Sequence, residues 1–187
     1  MKHRLFIAIT PPQSFKVRVS ALQLDLDNLG LPVRWEEPEK LHLTLSFLAR
    51  VSDEQMSHIN ALLRRVSSRT TPLEISPLFL ETLYQKHEPS LIYLGLAGDI
   101  TALKGLYSQL YRELTEMGFP QRKRFLPHIT VGRLKKADPA LTKKFLDRLD
   151  GYQFSPPDAF TVNSLDLYRS LISRAGSTYQ LVNRFPL

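Results

Sequence analysis

The chain has 187 residues, enough for one compact domain or two small lobes sharing a core; 43% hydrophobic and 23% charged is the balance of an ordinary globular protein, and no apolar run approaches the ~18 residues of a membrane span. Cysteine is absent, which excludes disulfides, thiolate catalysis and Cys-based metal sites and fits a reducing cytoplasm. A formal charge of +7 points toward an anionic partner such as nucleic acid.

The first apolar run, Leu5 to Ile9, follows basic residues but stops at Thr10-Pro11-Pro12 with no small-residue cleavage site, so it reads as a strand over 4–10 rather than an export signal. Phe15, Val19, Leu22, Leu26 and Leu29 then recur every three or four residues, a helical stripe closed by Gly30. Val33-Arg34-Trp35 is a short extended piece, and Pro38 breaks the chain before a strand over 41–48. Ser52 and Gln55 form a capping-box signature for a helix to about Arg65. Strands are expected over 73–83 and 91–97, separated by a polar turn over 85–89. Asp99 is expected to cap a helix presenting Leu103, Leu106, Leu110, Leu114 and Met117, which Gly118 and Pro120 end. A basic loop, Arg122-Lys123-Arg124, leads into a strand over 127–134. Asp138-Pro139 then supplies an N-cap and a first-turn proline for a helix to about Leu149. Two strands, near 160–169 and 177–185, close the chain, with Gly176 in their turn. Interleaved elements with connections too short for parallel crossovers predict an α+β fold with antiparallel pairing, undivided by any linker.

One internal echo stands out. Leu41-His42-Leu43-Thr44-Leu45 matches Pro127-His128-Ile129-Thr130-Val131, the two histidines lying 86 residues apart. Side chains alternate along a strand, so each His shares a face with the Thr two positions on, while Leu43, Leu45, Ile129 and Val131 point into the core. A lone His-x-Thr in a strand is ordinarily structural; the second copy argues for a site. If the strands lie side by side, two imidazoles and two hydroxyls converge, which suits displacement at a phosphodiester. One imidazole takes a proton from water, the other gives one to the departing sugar oxygen, and Thr44 and Thr130 donate to the non-bridging oxygens. His3, His58 and His87 lie near the terminus, in a surface helix and in a turn, and are expected to be solvated and uninvolved.

No metal or other cofactor is expected. Neither motif carries an adjacent carboxylate, His-Glu-x-x-His does not occur, and Glu36 and Asp138 read as loop or cap residues. Gly-x-Ser-x-Gly and Walker-type loops are also absent.

At these residues the sequence resembles the two-histidine phosphoesterases, specifically the RNA 2′,3′-cyclic phosphodiesterase branch once described as 2′-5′ RNA ligases. The likeness covers nearly the whole chain: Arg4-Leu5-Phe6-Ile7-Ala8-Ile9, the first motif through Ser46-Phe47-Leu48, the second as Phe125-x-Pro127-His128-Ile129-Thr130-Val131-Gly132-Arg133, and the ending Leu167-Tyr168-Arg169-Ser170 with Gly176-Ser177-x-Tyr179. The resemblance implies one bilobal α+β domain over 1–187, pseudo-twofold, with two mainly antiparallel sheets flanking a central cleft and helices outside. It implies that His42 protonates the leaving 3′-oxygen and His128 activates water, giving a 2′-phosphate from RNA 2′,3′-cyclic ends or cyclic nucleotides. The same chemistry with a 5′-hydroxyl replacing water would ligate. A cytoplasmic monomer is expected.

Arg133 is suited to forked phosphate binding, yet simple alternation turns it away from His128 and Thr130 unless Gly132 allows a bulge. For substrate grip, the basic loop around Arg124 and the aromatics Trp35 and Phe47 are candidates for drawing in phosphates and stacking a base. Two other readings share these residues: a non-catalytic module binding RNA ends or nucleotides, and the same chemistry on another cyclic or 2′-5′-linked nucleotide.

Overall fold

The elements follow the hydrophobic pattern, except that the strand expected near 160–169 is broken at Asn163 into two strands with different neighbours in the sheet. In the computed structural model, which describes residues 2–30, 33–85, 88–121, 123–135, 138–173 and 176–187, the order is β1 (Lys2–Ile9), α1 (Gln13–Asp27), β2 (Val33–Trp35), a 3-10 turn (Pro38–Lys40), β3 (Leu43–Ser52) and α2 (Asp53–Ser67). β4 (Leu73–Gln85), β5 (Glu88–Gly98), α3 (Ile100–Glu116), β6 (His128–Leu134) and α4 (Pro139–Asp150) come next, then β7 (Phe160–Val162), β8 (Ser164–Ser173) and β9 (Gly176–Pro186). His87 and Arg122, named above, lie outside the described residues.

The predicted caps hold at two helices and fail at a third. Ser52 Oγ accepts from Gln55 N at 3.2 Å while the Gln55 side chain accepts from Ser52 N at 2.9 Å, the full reciprocal box. Asp138 Oδ1 accepts from Ala140 N and Leu141 N at the start of α4. Asp99, by contrast, makes no cap on α3; its Oδ2 accepts from Glu74 N at 2.9 Å, and its own N–H donates to Glu74 O. Gly98, with φ +94°, turns the chain there, so Asp99 pins α3 to the start of β4 instead. His3 also departs from expectation. It is buried, not solvated, and pairs with Asp53 Oδ1 at 2.8 Å, fastening β1 to the first turn of α2.

The strands run in the order β7-β4-β5-β6-β3-β1-β8-β9, with β2 added beside β6, and every pairing is antiparallel. The two sheets expected for a bilobal domain are the two halves of this one sheet. Among the described residues they join at β3 and β6 alone, through the pair Leu43 and Ile129. Beyond that pair the strands run past each other in opposite directions, so β3 pairs into one lobe and β6 into the other. One face of the sheet carries Leu5, Ile7, Ile9, Leu43, Leu45, Ile92, Leu94, Ile129, Val131, Leu165 and Leu167, which form one continuous core with the apolar stripes of the helices. Alternation places Phe6, Ala8, Leu91, Tyr93, Asp166 and Tyr168 on the opposite face, and that face holds the site.

Candidate active site

Both histidines sit where their strands begin: His42 one residue before β3, His128 as the first residue of β6. The antiparallel register of Leu43 with Ile129 sets His42 across from Thr130 and Thr44 across from His128. The two histidines are thus diagonal neighbours, a relation that sets residues about 7–8 Å apart with their Cβ atoms somewhat closer. Leu43, Leu45, Ile129 and Val131 are buried on the far side, as their parity requires.

The rings are held alike. His42 Nδ1 donates to the Lys40 carbonyl at 2.6 Å, and His128 Nδ1 donates to the Leu126 carbonyl at 2.8 Å. A carbonyl oxygen only accepts, so each Nδ1 carries the proton and each Nε2 is left for proton exchange. Each ring also meets a tyrosine edge-on, Tyr179 at 5.4 Å from His42 and Tyr93 at 5.5 Å from His128. Phe6 packs against His42 at 5.0 Å and stacks on Tyr168 at 5.3 Å. Burial pushes His42 below the ordinary imidazole value; the Lys40 carbonyl and nearby Glu36 pull it back up, while His128 and Arg133 add to the depression. Tyr93 donates to Glu81 at 2.7 Å, and burial with that bond raises its hydroxyl to about 12. Among the described residues neither Thr44 nor Thr130 has its hydroxyl engaged, so both are free to donate.

The echo between the motifs extends further than the sequence reveals. Along β6, Thr130 faces Tyr93 but Gly132 faces Ile92, so Val131 is an extra residue, a bulge. Along β3, Thr44 faces Ala8 but Ser46 faces Ile7, so Leu45 is the matching extra residue. Both bulges fall three positions after the histidine. Each turns the fourth position inward, Ser46 or Gly132, and the fifth toward the cleft, Phe47 or Arg133. The structure therefore resolves the Arg133 question: it shares the face of His128 and Thr130. Its Nε donates to Glu36 Oε1 at 2.7 Å. Phe47 lies beside Phe6 on the same face and is 66% exposed.

Trp35 does not join them. Gly132 now faces the core, and the Trp35 ring lies over it, so close that a Cβ at 132 would sit 2.7 Å from Trp35 Cε3. Its Nε1 donates to Asp27 Oδ1 of α1 at 2.7 Å. The stacking role expected of Trp35 is thereby corrected: the ring packs under the sheet, on the helix side. Arg124 and Lys123 are exposed in the loop before β6, which is fixed by Phe125 stacked on Tyr107 at 4.2 Å. Glu36 does lie in a loop, after β2, as the sequence suggests, and from there it lines the cleft; no local signal could have found that role, because its partner is nearly a hundred residues away. Tyr93 was discoverable only as the out-of-phase residue between buried Ile92 and Leu94. Among the described residues no three His, Cys, Asp or Glu side chains are grouped to hold a metal ion, and no helix is long and apolar enough to cross a membrane.

Comparison with known proteins agrees with this geometry. Two curated relatives are named RNA 2′,3′-cyclic phosphodiesterase. One, from Methanocaldococcus jannaschii, is 26% identical over 97% of this chain and 99% of its own; the other, from Thermotoga maritima, is 29% identical over 96% and 92%. The crystal structure of Escherichia coli LigT complexed with 3′-AMP shares the fold at a TM-score of 0.78, with 24% identity over 100% of this chain and 99% of that one. The family model of the 2′-5′ RNA ligase superfamily matches residues 11–172. With both histidine motifs inside that span, the chain belongs to the 2′-5′ RNA ligase superfamily, the two-histidine phosphoesterases.

Proposed function

We propose that the protein hydrolyses 2′,3′-cyclic phosphate termini of RNA, or the corresponding cyclic nucleotides, to 2′-phosphomonoesters. The observation that carries this reading is the matched pair of imidazoles, each with Nδ1 committed to a backbone carbonyl and Nε2 left for the cleft. Water attacks phosphorus as His128 Nε2 takes its proton; the bond from phosphorus to the 3′-oxygen breaks, and that oxygen takes a proton from His42 Nε2. The Thr44 and Thr130 hydroxyls and the Arg133 guanidinium donate to the non-bridging oxygens, where charge builds in the transition state. Burial disfavours the protonated His42 that this step needs. A phosphate anion between the rings, and Glu36 nearby, favour it. The two rings are held alike, and it is the family resemblance that makes His42 the acid and His128 the base. Phe47 and Arg124 complete the proposed substrate contacts, as a stacking surface and a phosphate guide. Water replaced by a 5′-hydroxyl makes the step a 2′-5′ ligation.

The test is a panel of 2′,3′-cyclic nucleotides and cyclic-ended oligoribonucleotides, with the product separated as 2′- or 3′-phosphate. The 2′-phosphate is expected, with activity persisting in chelator. His42→Ala and His128→Ala should each lose at least ~10²-fold, the usual weight of one acid/base group. Binding without turnover would make the protein a recognition module, and full activity in either variant would remove the mechanism.

A further inference from the structure

We infer that Glu36 is a positioning residue for phosphate: it anchors Arg133 through Nε so that the two terminal amino groups of the guanidinium face the anion held between His42 and His128. The inference rests on the phosphate-binding reading of the cleft given above.

The geometry has three parts. First, the bulge at Val131 brings Arg133 to the cleft face but does nothing to fix its long side chain, which is 45% exposed. A guanidinium on a mobile stem binds phosphate weakly, because the ordering entropy must be lost on binding. Second, Glu36 is itself held. Its N–H donates to Val131 O at 3.0 Å, and the buried Gln23 of α1 donates through Nε2 to both Glu36 O and Val131 O at 2.8 Å. The Val131 carbonyl is turned toward β2, where these two donors take it up. The Glu36 backbone is thereby fixed to the bulge two residues before Arg133, and its carboxylate is only 14% exposed. Third, the contact is made by Nε alone among the described residues. A carboxylate on Nε restrains the plane of the guanidinium and leaves the Nη1 and Nη2 end for a forked pair of bonds to two phosphate oxygens.

A plain charge-quenching pair is the opposing account. An acidic side chain in a cleft meant for an anion repels the ligand unless its negative charge is spent on something useful. The two accounts predict opposite signs. If Glu36 positions Arg133, Glu36→Gln weakens binding of inorganic phosphate and of adenosine 2′-monophosphate about tenfold and lowers kcat/KM by at least a similar factor. If Glu36 only quenches Arg133, the same variant binds these anions more tightly.

The double-mutant cycle completes the test. Glu36→Gln introduced into an Arg133→Gln background should cause no further loss, since there is no guanidinium left to orient. An equal loss in both backgrounds, or tighter anion binding in the single variant, overturns the inference. Gln is isosteric with Glu, and a thermal melt checks that the variant folds. The unaltered protein offers a second measurement: the Arg133 Nε–H resonance, assigned by its loss in Arg133→Gln, should exchange slowly with water. Exchange as fast as that of an exposed arginine overturns the anchor without any variant of Glu36. Should the protein turn over no cyclic phosphate, the functional reading fails on its own, and the phosphate-binding cycle still decides the role of Glu36.

Discussion

Gly132→Ala is the substitution that most directly couples the fold to the site. The β6 bulge turns residue 132 inward, where a Cβ would lie 2.7 Å from Trp35 Cε3, 2.9 Å from Trp35 Cζ3 and 2.7 Å from Val33 Cγ1. Such contacts force movement, and neither neighbour is free to move. Trp35 is tied to Asp27 of α1 at 2.7 Å, and Val33 sits in the core, paired with Leu134. Overpacking of this kind costs about 1–3 kcal/mol. For a domain of this size that corresponds to a fall in Tm of about 2–12 °C, read by calorimetry. The strain can be relieved by sliding β2 away from β6, and β2 leads into Glu36, so weaker phosphate binding should accompany the lower Tm. Trp35→Leu in the same chain makes room for the methyl group and should recover part of the lost stability. A Gly132→Ala protein as stable as the unaltered one, with unchanged affinity for adenosine 2′-monophosphate, would refute the bulge as the device that aims Arg133.

Thr44→Val and Thr130→Val keep the strand shape and remove only a hydroxyl, so each should lower kcat for cyclic-phosphate hydrolysis by about 10²–10³-fold, the range of a lost oxyanion donor, with little effect on Tm; unchanged kcat in both would take the threonines out of the mechanism. Phe47→Ala removes an exposed ring that no core contact needs, so KM for cyclic nucleotides should rise about fivefold or more, at the scale of a lost stacking contact, with unchanged stability. An unaffected KM would leave Phe47 a bystander. His42 is held below its ordinary value chiefly by burial. The fold therefore keeps it neutral at pH values where the unfolded chain is protonated, so this group's contribution to stability is lost as pH falls below about 6.5 and through the folded midpoint. An NMR titration of its ring proton should give a midpoint under that value, rising when inorganic phosphate is added; a midpoint at or above it contradicts the burial argument.

Much of this was written locally. The order of strands and helices, the capping box at Ser52 and Gln55, the Asp138 cap and the inward parity of Leu43, Leu45, Ile129 and Val131 all follow from periodicity and side-chain chemistry acting over a few residues. So does the paired His-x-Thr motif, because a face shared by residues two apart is a property of any extended strand. Tertiary structure decided the rest, since each remaining feature depends on a neighbour distant in the chain. The bulges at Leu45 and Val131 exist only in the register of β3 with β1 and of β6 with β5, and they alone bring Phe47 and Arg133 to the cleft. Glu36 became a site residue, and Trp35 ceased to be one, because β2 lies against β6 and alternation then sends one side chain to each face. Hydrophobic patterning says which residues are buried; only the pairing of strands says across from what.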